Sequence, residues 1–154
     1  MVDLLKLCAF NAAYAQAIDS DALEQWPAFF AERCHYRITN VDNEREGLPA
    51  GIVFADSRAM LEDRIAALRE ANIYERQRYR HLLGIPLVES ADAAGAVART
   101  PFLVARIMAT GETVLFASGE YRDRFVVEAG RLLLAEREAV CDSTVTDTLL
   151  ALPL

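Results

Sequence analysis

At 154 residues, with hydrophobic side chains at 53% and charged ones at 25%, the chain has the size and composition of one folded domain with its own core, which excludes two ordinary domains and a disordered polymer. A net charge of −7 suits phosphate neutralisation poorly, so nucleic acid is not an expected partner. No apolar run reaches the roughly 18 residues of a membrane span, and the opening Met-Val-Asp-Leu-Leu-Lys lacks a signal peptide's basic and long apolar regions, so no membrane association and a cytoplasmic location are expected.

Leu4, Leu7, Phe10, Tyr14 and Ile18 recur at steps of three and four, which predicts an amphipathic first helix. Asp19 or Asp21 is placed to cap a second helix, with Glu24 completing a capping box, Leu23, Trp26 and Phe30 as its buried stripe, and Pro27 as a kink or stop. Cys34 to Thr39 alternates as a half-buried strand, with Cys34, Tyr36 and Ile38 on one face and His35, Arg37 and Thr39 on the other. Asn40 to Gly51 is rich in charge, Gly and Pro and reads as a loop; its acidic residues lack the spacing of a calcium site. Asp56 or Ser57 then caps a third helix carrying Leu61, Ile65 and Leu68.

From His81 the pattern changes. Apolar runs Leu82 to Val88, Phe102 to Met108, Val114 to Phe125 and Leu132 to Cys141 are separated by Gly95, Gly111-Glu112 and Ala129-Gly130, which predicts an antiparallel meander. In the last two strands Glu120, Arg122 and Arg124 share one face, as do Leu134, Glu136 and Glu138, so opposite charges can pair across the hairpin. Helices followed by long strands is an α+β order: a single domain spanning 1–154, a curved antiparallel sheet packed on N-terminal helices, with a short C-terminal tail. Such a curved sheet resembles the cone-shaped NTF2-like, or SnoaL-like (cystatin-like), fold of nuclear transport factor two, ketosteroid isomerase and scytalone dehydratase.

Chemistry-bearing residues are few. Cys8, Cys34 and Cys141 are odd in number, widely spaced and set among apolar neighbours, so they read as free, buried thiols. His35 and His81 are the two histidines; either, with an Asp or Tyr, is a candidate acid or base for a stand-alone isomerase or dehydratase, against the plainer reading of a hydrogen-bonded structural histidine. A Rieske centre needs two Cys and two His, yet only adjacent Cys34 and His35 are offered; an iron facial triad would need His35 and His81 brought together with a carboxylate. Dinucleotide-binding, P-loop and nucleophile-elbow motifs are missing. No catalytic, metal or cofactor residue is therefore expected in this chain.

Several stretches in order carry a family resemblance: Trp26-Pro27-Ala28-Phe29-Phe30 leading into Cys34-His35-Tyr36-Arg37-Ile38-Thr39-Asn40, then Asp63-Arg64-Ile65, then Tyr74-Glu75-Arg76-Gln77-Arg78-Tyr79-Arg80-His81. Together they resemble the small (beta) subunits of aromatic ring-hydroxylating dioxygenases. Asn40-Val41-Asp42-Asn43, Ala71 to Arg76 and the ending Val140 to Leu154 are most similar to the terephthalate branch of that family. The resemblance implies a non-catalytic subunit that stabilises a hetero-oligomer, an alpha3beta3 hexamer in which it touches a large (alpha) subunit and neighbouring beta subunits. It also implies that the Rieske iron-sulfur cluster and the mononuclear non-haem iron sit in the large subunit, supplied from NADH through a separate reductase, for cis-dihydroxylation of an aromatic ring.

An assembly role asks for surface beyond a monomer's needs. Two segments are candidates for partner contact: Tyr74, Arg76, Arg78, Arg80 and His81, where Arg80 and His81 would meet carboxylates of the large subunit, and the apolar ending with Leu149, Leu150, Leu152 and Leu154. A scaffold is expected to fill its cone with Phe, Leu and Met, whereas an enzyme keeps an open pocket of roughly 300 Å³ or more holding an acid–base pair.

Overall fold

Asp3 starts the first helix by accepting the Lys6 N–H at 2.9 Å, and α1 runs over Leu4–Asp19. It buries Leu7, Asn11, Tyr14 and Ile18, while Leu4 stays partly exposed, so the buried stripe is centred one turn later than the apolar spacing suggests. The computed structural model describes residues 1–47, 53–71, 76–143 and 152–154. After a turn at Asp21 (φ 62°) comes a 3₁₀ segment, Leu23–Phe29, in place of the expected α-helix. Pro27 inside it has no N–H to offer, and Ala22 at its start supplies no side-chain cap. Asp21 and Glu24 are used differently: both bind Arg69, at 3.0 and 2.7 Å.

Strand β1, Phe30–Asn40, is longer than its alternating centre, and Asn40 ends it by capping a one-turn helix, α2 (Val41–Arg45), through the Asn43 N–H at 2.8 Å. That turn replaces the first part of the expected loop; residues 48–52 lie outside those described. Strand β2 covers Val53–Ala55 and α3 covers Arg58–Ala71, started by the Ser57 hydroxyl accepting the Met60 N–H at 3.2 Å. Leu61 and Ile65 are buried by α3.

The remaining strands are β3 (Gln77–Leu83), β4 (Leu87–Ala91), β5 (Gly95–Met108), β6 (Thr113–Glu128) and β7 (Arg131–Cys141). The expected strand Leu82 to Val88 is thus split, because Gly84-Ile85-Pro86 breaks the ladder, and β5 begins seven residues before the apolar run that announced it. The β6–β7 hairpin closes on Ala129 (φ 50°) and Gly130 (φ 76°), the left-handed pair that a two-residue turn matching strand twist requires. Strand order is β2-β1-β7-β6-β5-β3, with β4 also on β5. Every pairing is antiparallel except one: β1 lies parallel to β7. The sheet is therefore mixed, where the sequence suggests a purely antiparallel one; hairpin signals are local, and a contact closing almost the whole chain leaves none.

α1 packs on the 3₁₀ segment and β3, and α3 on the 3₁₀ segment and β1, so the helices cover the concave side of the sheet. Between them Trp26, Phe30 and Tyr36 meet edge to face, with Trp26–Tyr36 centroids 5.1 Å apart, and Phe10 meets Phe125 at 5.2 Å. Cys34 and Cys141 belong to this core, whereas Cys8 is half-buried. Burial pushes the Cys34 and Cys141 thiols up to about 11, which leaves about one thiolate in a thousand at pH 8. At that pH iodoacetamide should label Cys8 in the native protein and reach Cys34 and Cys141 only in denaturant; mass spectrometry showing native labelling of Cys34 ahead of Cys8 would contradict the packing.

Candidate functional site

Three polar clusters are sealed against the concave face. The first is built by strand parity. On β6 the inward positions are Tyr121, Asp123 and Phe125, and on β7 they include Arg137 and Ala139, with Asp123 and Arg137 directly opposite. The Arg137 guanidinium binds both Asp123 oxygens at 2.8 Å and the Asn11 amide oxygen at 2.7 Å. It lies between two rings, its carbon 4.2 Å from the Tyr14 centroid and 4.0 Å from that of Tyr121. Asn11 in turn donates to Thr100 Oγ1 at 3.3 Å. Burial pushes the Asp123 carboxyl up while Arg137 pulls it back; for Arg137, burial opposes the charge and the Asp123 attraction overrides it, so the guanidinium stays protonated.

The second cluster is Asp19 with His81. Gly84 donates to Pro101 and Ala109 donates to Arg76, so the even-numbered residues of β3 bond to β5 and the N–H of His81 faces the strand's open edge. Asp19, at the last turn of α1, accepts that N–H at 2.8 Å and holds the ring Nδ1 at 2.6 Å, capping the edge and the side chain together. A groove of about 400 Å³ between α1 and the β3–β4 turn has both residues in its wall, but the imidazole itself is fully covered. His35 is on the opposite, exposed face of the sheet, so the two histidines do not converge. Among the described residues no three His, Cys, Asp or Glu side chains are grouped to hold a metal ion.

The third cluster joins the end of the sequence to the core. Leu152 and Leu154 are buried, and the Leu154 main-chain oxygen accepts from the Tyr14 and Tyr36 hydroxyls at 2.8 and 3.0 Å. The concave face is thus filled by Tyr, Phe, an ion pair and the chain's own leucines; methionine, expected among the fillers, is not among the buried core residues.

The convex face divides in two. Toward β1 and β7 its charges answer each other: Arg37 binds Glu138, Arg122 binds Glu44 and Glu120, Arg99 binds Glu89 at 2.6 Å and Glu120 at 3.6 Å, and Arg124 faces Glu136 at 3.8 Å. Toward β3 the composition changes. Rows of cross-strand neighbours read Arg78–Ile107–Thr113, Arg80–Ala105–Leu115 and Leu82–Leu103–Ser118. Leu82 and Leu115 are 65% and 69% exposed. None of Arg76, Arg78 and Arg80 has a carboxylate partner among the described residues.

Comparison with known proteins bears on what such a surface serves. A family model described as a SnoaL-like domain matches residues 3–138. The chain is 67% identical to the terephthalate 1,2-dioxygenase terminal oxygenase component subunit beta 1 of Comamonas sp, over 100% of both chains. It belongs to the beta subunits of aromatic ring-hydroxylating dioxygenases. The anthranilate 1,2-dioxygenase small subunit of Burkholderia cepacia is 36% identical over 92% of this chain and 88% of its own. Among solved structures, the beta subunit of an aromatic-ring-hydroxylating dioxygenase from Novosphingobium aromaticivorans superposes with a TM-score of 0.90 at 35% identity, covering 98% and 96% of the two chains.

For a dioxygenase beta subunit, the placement of the sequence's candidates is instructive. Arg76, Arg78 and Arg80 are all exposed, with Arg78 and Arg80 on one face of β3. The His81 side chain, expected to reach a partner's carboxylate, turns inward and binds Asp19, since alternation puts it on the other face from Arg80. Leu152 and Leu154 pack within their own chain, while Tyr74, Leu149 and Leu150 lie outside the described residues. An isomerase or dehydratase using His35 or His81 is the less supported reading. Missed entirely were Asn11, Asp123 and Arg137; opposite charges at matched inward positions of the last hairpin were the available signal.

Arg137→Ala should lower the unfolding free energy by about 3–5 kcal/mol, because it leaves Asp123 buried without its partner, whereas Arg124→Ala at the exposed pair should cost at most about 1 kcal/mol. Urea denaturation separates the two, and equal losses would mean that the buried pair carries no special weight.

Proposed function

We propose that this chain is the beta subunit of a terephthalate dioxygenase, joining a large alpha subunit in an alpha3beta3 oxygenase and leaving the chemistry to it. The observation that carries the reading is 67% identity to the Comamonas terephthalate subunit along the full length of both. In this reading the large subunit holds the Rieske cluster and the mononuclear iron, electrons arrive from NADH through a separate reductase, and dioxygen enters the aromatic ring as a cis-diol. The beta subunit contributes a rigid body and an adhesive surface, and its catalytic, metal-binding and cofactor-binding residues number none. A cytoplasmic location goes with that role.

The face formed by Arg76, Arg78, Arg80 and Leu82 is the proposed contact with the large subunit. A chain of net charge −7 whose Arg37, Arg99, Arg122 and Arg124 pair with carboxylates, while Arg76, Arg78 and Arg80 have no carboxylate partner among the described residues and lie beside exposed Leu82 and Leu115, suits a partner surface of carboxylates around an apolar centre. Arginine is among the residue types that most often dominate affinity at an interface. Tyr74, Leu149 and Leu150 remain candidates for the same interface.

The test is co-expression with the large subunit carrying an affinity tag. Wild-type chain should co-elute in equal amounts, with all iron accounted for by the large subunit. Arg78→Glu/Arg80→Glu should weaken association at least about tenfold, equivalent to roughly 1.4 kcal/mol, without changing iron per large subunit. Wild-type chain absent from the eluate would overturn the subunit reading; a double variant that co-elutes like wild type would move the interface off this face.

A further inference from the structure

The end of α1 and the start of β3 enclose a hollow of about 580 Å³, within the roughly 300–1,000 Å³ in which proteins take up small molecules. One wall is the cross-strand pair Gln77 and Met108, and residues 19–21 lie across the gap from it. The Oε1 of Gln77 is buried and has no hydrogen-bond partner, a state that a donor brought in by a ligand would relieve. The carboxylates on the opposite wall are already used, Asp19 by His81 and Asp21 by Arg69. The guanidiniums are not: Arg76 and Arg78 line the same hollow, are exposed, and have no carboxylate partner among the described residues. Met108 and Ala109 supply the apolar part of the lining.

Those groups specify a ligand. Two guanidiniums call for a planar anion, the buried amide oxygen calls for an O–H or N–H, and a methionine beside them suits an aromatic ring. A phosphate dianion would set acceptor against acceptor at Gln77, and a chain of net charge −7 repels polyanions. We propose that this hollow binds a small aromatic carboxylate bearing a hydroxyl group, its carboxylate on Arg76 and Arg78 and its hydroxyl donating to Gln77 Oε1. The site shares Arg76 and Arg78 with the proposed large-subunit contact, but Arg80 and Leu82 do not line it. It needs no partner chain, so it is tested on this chain alone, and its failure leaves the subunit reading untouched.

Titration of the isotope-labelled full chain, followed by NMR at the Gln77 side-chain amide and the Ala109 main-chain amide, provides the test. At neutral pH meta- or para-hydroxybenzoate should shift both signals saturably, with a dissociation constant of about 1 mM or tighter. Benzoate, the same anion without the donor, should bind at least about threefold more weakly. Phenol, the donor without the anion, should bind at least about tenfold more weakly, as should hydroxybenzoate to Arg76→Gln/Arg78→Gln. Gln77→Leu, read at Ala109, should bind hydroxybenzoate and benzoate equally, which ties the hydroxyl preference to the buried amide. Should Gln77→Leu fail to fold, the three probes on wild type and the variant at the two exposed arginines decide. No saturable shift with either hydroxybenzoate up to about 10 mM, benzoate or phenol binding as tightly as hydroxybenzoate, or an arginine double variant that binds like wild type would each overturn the proposal.

Discussion

A guanidinium sealed from water must find its partners inside the fold, and that demand organises this molecule even though the Nη1 of Arg137 makes no hydrogen bond among the described residues. Arg137 is fully buried, and its surroundings answer it with a bidentate carboxylate, an amide oxygen and two ring faces. Those groups come from α1 (Asn11, Tyr14), β6 (Tyr121, Asp123) and, one step further out, β5 (Thr100). Satisfying one charge therefore fixes how the first helix lies across the last strands. The hydroxyl of Tyr14, whose ring covers the cation, is one of the two that bind the Leu154 main-chain oxygen, so the tail is positioned by the same residue. Apolar residues would fill this volume as well; what the pair adds is a single way to dock α1.

The functional consequence is an interior whose charged groups, Asp123 with Arg137 and Asp19 with His81, are paired with each other. Asp19 and His81, which in an open cone would be a candidate acid–base pair, instead close the free edge of β3 and pin it to α1. What the fold leaves available is outside. On the convex face Arg37, Arg122 and Arg124 pair with carboxylates over β1, β7 and β6, while near β3 Arg76, Arg78 and Arg80, without a carboxylate partner among the described residues, lie with exposed leucines, which suits a member of a family of dioxygenase beta subunits.

Much of this was legible in the residues. Steps of three and four located α1 and α3, alternation located the centre of β1, and Ala129-Gly130 marked the hairpin that pairs Arg122 with Glu138 and Arg124 with Glu136 in register. The order of motifs identified the family, because a family is an arrangement along the whole chain rather than a ligand set. What escaped was non-local. The parallel pairing of β1 with β7 joins residues about a hundred positions apart, and Asn40 could cap a turn only once β1 was known to end there. Asp19 looked like a cap for the next helix; its use by His81 depends on which edge of β3 is open, a property of the assembled sheet. Leu154 illustrates the same limit, since an apolar ending is equally suited to a partner's groove and to its own core.

We propose that this chain's interior holds the subunit together and takes no part in oxygen chemistry. Steady-state turnover of the assembled oxygenase containing His81→Gln in this chain, expressed per large-subunit iron, tests that most directly. The account predicts turnover equal to that of the wild-type assembly, even where the variant subunit melts at a lower temperature. A fall in turnover with assembly and iron content intact would place the Asp19–His81 pair in the reaction and contradict it.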